Sequence, residues 1–492
     1  MIKILLSIGG LQLATMLVLL VRTKFLAIVL GPEGVGLMAV IDKVLAVLVQ
    51  TISLSLPYAA LRFLPELWNF DRSDCYRTFR AMSITLGGLA VVGGSFGVLM
   101  TLTVPALWGA QLAAYPMLLI AAFLTVPAQV FAPFIQNTFA GTMRHRASML
   151  FGLAHAFIQV AAGLIGVLVA GLTGLYLTYA AAAAALLAPA LVRVARPMRP
   201  TESSYTSWRS LLLPARVLRF SFALFGLTML APLAALYAHY AVLSNGGAAQ
   251  AGWMQAAVGI ALAVRGILGS AHATYLTPHL NKGGDLPERM QWAVRFQNTW
   301  CVIAGLLVPP LLLTIPLAVT VLYAPSFLPA TQFVFLFVIA EVVGMLAGTY
   351  QGMIVAADHL RFYVMQNVAS QLIYVGVAWI TIPRWGIAGA ATGAIASSSF
   401  LLVATSSFLA LKMRLPHPWR TTALSLYLLT SLVVTGWIGT QGAALSAHSL
   451  ATMFIVYGVL VAGLAAFALS DIRQVLSRLR ARSKPGMSWP PK

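Results

Sequence analysis

Six charged residues stand where an apolar chain should exclude them: Arg22, Lys24, Asp42, Lys43, Arg265 and Glu341 all lie inside long apolar runs. A Lys, Arg or Asp at the centre of a membrane span costs about 2.5–3.5 kcal/mol on insertion scales, so such residues usually face a cavity or a partner. The chemistry they offer is recognition. Arg presents a planar, bidentate fork to phosphate or carboxylate oxygens, and Lys acts as a point charge. Four cations against two acids suit an anionic ligand such as a phosphate or pyrophosphate. At about 1.5 Å per residue, Arg22, Lys24 and Lys43 lie roughly 9–12 Å from the outer ends of their helices, close enough for their charged heads to snorkel. Arg265 lies about 18 Å from its outer end and nearly as far from the inner one, where snorkelling is hard.

The remaining polar groups in these runs carry two readings each. Asp42 is adjacent to Lys43 and suits either a neutralising pair with Lys24 or a proton-coupling role. Glu341 has no partner evident in sequence, so it is either a carboxylic acid kept neutral by burial or a coupling site. His239 and His272 either line the same cavity or pack as hydrogen-bonded helical residues, the commoner fate of a lone His. Nothing points to a catalytic residue, a cofactor or a metal. Two cysteines, Cys75 and Cys301, exclude a disulfide framework or a cysteine zinc cluster. No Gly-x-x-x-x-Gly-Lys-Ser/Thr loop is present, so the chain does not hydrolyse ATP through a P-loop.

The elements that must position these residues follow from composition. The chain has 492 residues, 60% of them apolar and 9% charged, with a net charge of +20. Soluble proteins are about 45–50% apolar and about 25% charged. A spanning helix takes about 20 apolar residues, and fourteen such runs recur: about 4–30, 37–61, 81–104, 115–141, 147–170, 173–192, 220–243, 253–276, 296–323, 331–356, 363–382, 387–411, 421–440 and 449–470. The alternating ~10-residue segments of a β-barrel are absent. The first run follows Lys3 as a signal peptide would, but it is too long and lacks a small-residue cleavage pattern, so it reads as a retained span. Prolines interrupt many runs (Pro57, Pro127, Pro133, Pro232, Pro309, Pro310 and Pro316), each predicting a kink.

With the N-terminus in the cytoplasm, 26 of the 31 Lys and Arg fall in inner segments and one, Arg384, in an outer loop. That asymmetry places both termini inside. Lipid phosphates are then sufficient partners for the basic charge, and no nucleic acid is needed. The basic stretch 193–219 is the only long interior linker. It divides the chain into an N-lobe (1–192, spans 1–6), the linker itself, a C-lobe (220–411, spans 7–12), an added helix pair (412–470) and a basic cytoplasmic tail (471–492).

The halves repeat. At an offset of 215 residues Gln136 aligns with Gln351, Arg146 with Arg361, and Gly171-Leu-Thr-Gly174 with Gly386-Ile-Ala-Gly389. Near the start of each half, at an offset of 216, Gly36 aligns with Gly252. Six spans per copy is an even number, so the copies enter from the same side, and transporters commonly place a substrate site between such halves. The expected fold is an all-α integral membrane protein of about 14 transmembrane helices. Two six-helix pseudo-repeat lobes enclose a central cationic cavity, and a C-terminal helix pair is added.

The segment Arg22-Thr-Lys-Phe-Leu-Ala-Ile-Val-Leu-Gly-Pro-Glu-Gly-Val-Gly-Leu37 resembles the polysaccharide-exporting, Wzx-type flippases. These belong to the multidrug/oligosaccharidyl-lipid/polysaccharide exporter superfamily. Ala251-Gly252-Trp-Met-Gln255 with Tyr275-Leu-Thr-Pro278 looks like the matching element of the second half, and Gly386-Ile-Ala-Gly389-Ala-Ala-x-Gly393 is similar to the family's late helices. The resemblance covers essentially 1–410. It implies a flippase that moves undecaprenyl-diphosphate-linked oligosaccharide, an O-antigen or related repeat unit, across a bacterial inner membrane. Spans 1, 2, 7 and 8 would line a cationic cavity that binds the pyrophosphate through Arg22, Lys24, Lys43 and Arg265. Polymerase and chain-length proteins of the same pathway would be its protein partners. The two spans beyond the usual twelve are better known in lipid II flippases, which keeps lipid II as an alternative substrate. A multidrug antiporter of the same superfamily and a membrane polysaccharide polymerase or ligase are further alternatives. The antiporter would want an acidic cavity, and the polymerase a large polar outer loop, which this chain lacks.

Overall fold

A computed structural model describes residues 2–199, 212–272, 276, 280, 285–415, 419–441 and 455–465. The basic tail 471–492, most of the linker and most of the Tyr275–Pro278 element lie outside the described residues. The chain divides into two compact units: residues 1–255 with 321–327 and 378–390, and residues 256–320 with 328–377 and 391–492. The parting therefore falls at 255/256, past the basic stretch.

The first unit opens with α1 (Ile2–Ser53), which breaks at Gly31 (φ 62°, ψ −175°) just ahead of Pro32. Only glycine takes that conformation without strain, and the break turns one long helix into spans 1 and 2. After Leu54 and Ser55, both at positive φ, α2 (Leu56–Phe70) begins with Pro57 in its first turn. Asp71 caps α3 (Arg72–Thr103), its side chain accepting from the backbone N–H groups of Ser73 and Asp74 at 2.8 and 3.2 Å. Short α4 (Gly109–Ala113) leads to α5 (Pro116–Phe123) and α6 (Val126–Gly141), which together form span 4. The long α7 (His145–Ala195) breaks at Ala170 and Gly171 and folds back on itself. The return is tight: a Cβ on Gly166 would fall on the Gly174 carbonyl, and one on Gly174 on the Gly166 carbonyl. Thr178 then donates to the Ala162 carbonyl at 2.6 Å. α8 (Ala215–Ala271) breaks at Gly247 (φ 82°, ψ 176°).

In the second unit, α9 (Leu286–Leu313) is capped by Asp285, which accepts from the Glu288 N–H at 2.9 Å. It is followed by α10 (Ile315–Leu322), α11 (Thr331–Ala356), α12 (Leu360–Trp385), α13 (Ile387–Leu411), α14 (Trp419–Gln441) and α15 (Ile455–Ala465). The late pair is seated on this unit through glycines. Gly439 meets the Leu312 carbonyl and Gly436 the Phe335 ring. Leu464 fills the space beside Gly305, and the Tyr457 hydroxyl donates to the Leu306 carbonyl at 3.1 Å. Lipid tails are as apolar as leucine, so close backbone approach of this kind, more than hydrophobic burial, holds membrane helices together.

Among the described residues, nine helices are long and apolar enough to cross a membrane, several of them merging two predicted spans across a break. Not every proline kinks a helix. Pro57, Pro127 and Pro316 sit in first turns, where the missing N–H costs nothing, while Pro133, Pro232, Pro309 and Pro310 lie in helix interiors.

The duplication is written into the backbone. Gly31 and Gly247, 216 residues apart, share one break geometry, and Gly171 and Gly386 break their halves at φ 57° and 55°. Met143 (φ 59°) and Asp358 (φ 62°) end corresponding helices in the same left-handed turn. There Arg144 N–H donates to Phe139 and His359 N–H to Ile354, the six-to-one bond of a Schellman cap.

Candidate functional site

The first unit holds a polar cavity of about 330 Å³. Its wall draws on both segments of α1 (Arg22, Asp42), on α6 (Gln129, Ala132, Pro133) and on both segments of α7 (His155, Gln159, Leu175, Tyr176, Tyr179). The breaks at Gly31 and Gly171 create it, since each folds a continuous helix so that its two segments present side chains to the same space. Helical spacing then places Gln129 with Pro133, His155 with Gln159, and Tyr176 with Tyr179 on common faces.

Asp42 accepts a hydrogen bond from the Tyr176 hydroxyl at 2.8 Å. His155 Nε2 and the Tyr179 hydroxyl lie 3.1 Å apart. Gln129 donates to the Thr125 hydroxyl at 2.8 Å, leaving its amide oxygen uncommitted in that bond. The Nε of Arg22 is buried and meets no hydrogen-bond partner among the described residues. Pro133 supplies no N–H to the Gln129 carbonyl one turn back.

The other anticipated residues lie elsewhere. Lys43 is half-buried on α1 and does not line this cavity. His239 is buried, with Nδ1 donating to the Ala235 carbonyl at 2.9 Å and Nε2 facing the Gln255 side chain at 3.1 Å. Both ring nitrogens are occupied, as in a packing histidine. In the second unit Glu341, without an evident partner in sequence, pairs with Arg265 through Oε2 and Nη1 at 3.2 Å. The Arg265 side chain is 62% exposed within the protein and Glu341 23%, so the guanidinium keeps donors free. His272 meets the Thr349 hydroxyl at 2.9 Å and packs edge-on against Phe296 at 4.7 Å. Arg22 and Asp42 thus share one cavity, and Arg265 and Glu341 form a separate pair.

Nothing local in the sequence marks Gln129, His155, Gln159, Tyr176 and Tyr179 as neighbours. Each is one polar residue in an apolar helix, and the usable signal is their three- and four-residue spacing in pairs.

No family model and no curated protein matches this chain. Solved structures do. The lipid II flippase MurJ, in an inward closed conformation, matches with a TM-score of 0.70 at 11% identity, over 95% of this chain and 99% of that one. A multidrug resistance MATE family transporter of the MOP superfamily, in an inward-facing conformation, matches with a TM-score of 0.61 at 15% identity, over 84% and 96% of the two chains. The MATE multidrug transporter DinF-BH gives 0.54 at 15% identity, over 83% and 95%. The architecture of this chain is therefore the one shared by MATE transporters and the MurJ flippase.

Proposed function

We propose that this protein is a flippase that moves undecaprenyl-diphosphate-linked oligosaccharide, an O-antigen or related repeat unit, across a bacterial inner membrane by alternating access. The observation that carries the reading is the extent of the MurJ match: it covers 95% of this chain, against 83–84% for the MATE transporters named above. A lipid-linked cargo also suits the charge pattern. Lys24, Lys43 and Arg265 are cations set within spanning helices and outside the cavity that Arg22 shares with Asp42, and a diphosphate crossing the membrane meets bidentate and point-charge donors in them. The polyprenyl tail stays in lipid. Lobes of 1–192 and 220–411 rock about the cargo, both termini face the cytoplasm, and polymerase and chain-length proteins consume the exported product.

The second reading is a lipid II flippase, favoured by the same match. The two are separated by cargo. Arg265→Ala should abolish surface-glycan assembly in a strain lacking its own repeat-unit flippase, with the protein inserted at normal level. Normal glycan in that strain sinks the role assigned to Arg265. Rescue by the wild-type chain of a strain lacking the lipid II flippase, with no rescue of the glycan strain, moves the assignment to lipid II.

A further inference from the structure

We propose that the cavity of the first unit is a binding site for one neutral pyranose, held through its hydroxyl groups. This deepens the flippase reading and rests on it for the origin of the sugar, as part of a lipid-linked cargo.

The charges of the wall set the class of ligand. Arg22 and Asp42 bring one group of each charge type to the wall, and the other polar wall residues, Gln129, His155, Gln159, Tyr176 and Tyr179, include no permanent charge. A diphosphate would need an excess of cations, and an organic cation an excess of acids; a balanced wall favours a neutral, polar guest. The hydrogen-bonding character narrows it further. Arg22 only donates, the Asp42 carboxylate only accepts, and Gln129, Gln159, His155 and Tyr179 can each do both. Alternating donors and acceptors match hydroxyls, which donate and accept at once. Leu175, Ala132 and Pro133 supply the apolar wall that the carbon face of a sugar ring needs.

Two further observations point to a guest. The buried Nε of Arg22 has no partner among the described residues, and a buried donor left unmade is costly enough that such groups ordinarily have an acceptor. Among the described residues Asp42 accepts one hydrogen bond, from Tyr176, against an ionised carboxylate's capacity for about four. The cavity volume of about 330 Å³ stands at the lower end of small-ligand pockets, about 300–1,000 Å³, which suits one ring.

The test uses the full chain in nanodiscs and saturation-transfer NMR with a panel of free neutral hexoses and N-acetylhexosamines. At least one sugar should receive saturation, and its half-saturation concentration should rise about fivefold in Gln159→Leu, the equivalent of one lost hydrogen bond. Tyr179→Phe, which keeps the ring and removes only the hydroxyl, should act in the same direction. Displacement of the free sugar by a short-prenyl diphosphate-linked sugar assigns the site to lipid-linked cargo. Displacement failing while free sugar still binds keeps the site and removes the flippase connection. No saturation with any sugar, or equal affinity in both variants, overturns the proposal. Inorganic pyrophosphate, titrated against wild type and Arg265→Ala in parallel, reports on the flippase reading separately.

Discussion

Gly36 and Gly252 pack one helix crossing from both sides: a Cβ on Gly36 would fall on the carbonyl oxygen of Ala248, and a Cβ on Gly252 on that of Pro32. The four positions are related in pairs by an offset of 216, so the crossing is symmetric about the duplication. Neither glycine has room for a side chain. Gly36→Ala and Gly252→Ala should each lower stability by about 1–3 kcal/mol, the usual cost of overpacking, read as earlier unfolding in detergent. At Gly88, which has nothing within 4 Å of the added Cβ, the same substitution should be neutral or slightly stabilising.

Tyr176→Phe removes the hydroxyl that Asp42 accepts from at 2.8 Å. A hydrogen bond to a charged group is worth about 1.5–3 kcal/mol, so the thermal midpoint should fall clearly. Asp42→Asn/Tyr176→Phe should recover part of the loss, because no carboxylate is then left short of a donor. An additive double variant would show that the two groups do not act together.

The Arg265–Glu341 pair at 3.2 Å should show coupling in a double-mutant cycle of Arg265→Gln and Glu341→Gln, of about 0.5 kcal/mol or more. The exposed guanidinium keeps the figure modest. Glu341→Gln should retain insertion, since removing the acid leaves a cation that still has free donors. Arg265→Gln should lose glycan export.

Asp71, exposed between α2 and α3, has its carboxyl held below the ordinary aspartate range by the Ser73 hydroxyl, then by the backbone N–H groups of Asp74 and Ser73. A lowered value in the folded chain makes the ionised form stabilising. That contribution is complete above the unfolded value of about 3.9 and is lost as pH falls through the folded one. Asp71→Ala should therefore destabilise at pH 7 and converge on wild type in strongly acidic buffer. A gap that widens on acidification would contradict the cap.

The spans were legible because lipid forces a simple rule: about 20 apolar residues must form a helix whose peptide groups are paired within it. The repeat was legible where glycine is required, at Gly36 and Gly252 and at Gly171 and Gly386, since backbone contact or positive φ restricts those positions. The cavity was not. Asp42 and Tyr176 are separated by 134 residues, and Arg265 and Glu341 by 76, so neither partnership has a local signature. His155 and Tyr179 come together only because α7 turns back at Gly171. One linear pattern cannot distinguish that from a straight helix with two scattered polar residues.

The turns at Met143 and Asp358 carry a wider consequence. Their hydrogen bonds correspond one for one, Thr142 to Thr138 as Ala357 to Met353, Arg144 to Phe139 as His359 to Ile354, yet no residue from 138 to 144 is retained from 353 to 359. Every letter of this segment differs between the halves, yet the left-handed residue and the hydrogen bonds around it stand in the same places. Likeness between the two halves of such a chain can stand in its dihedrals where it has faded from the alphabet.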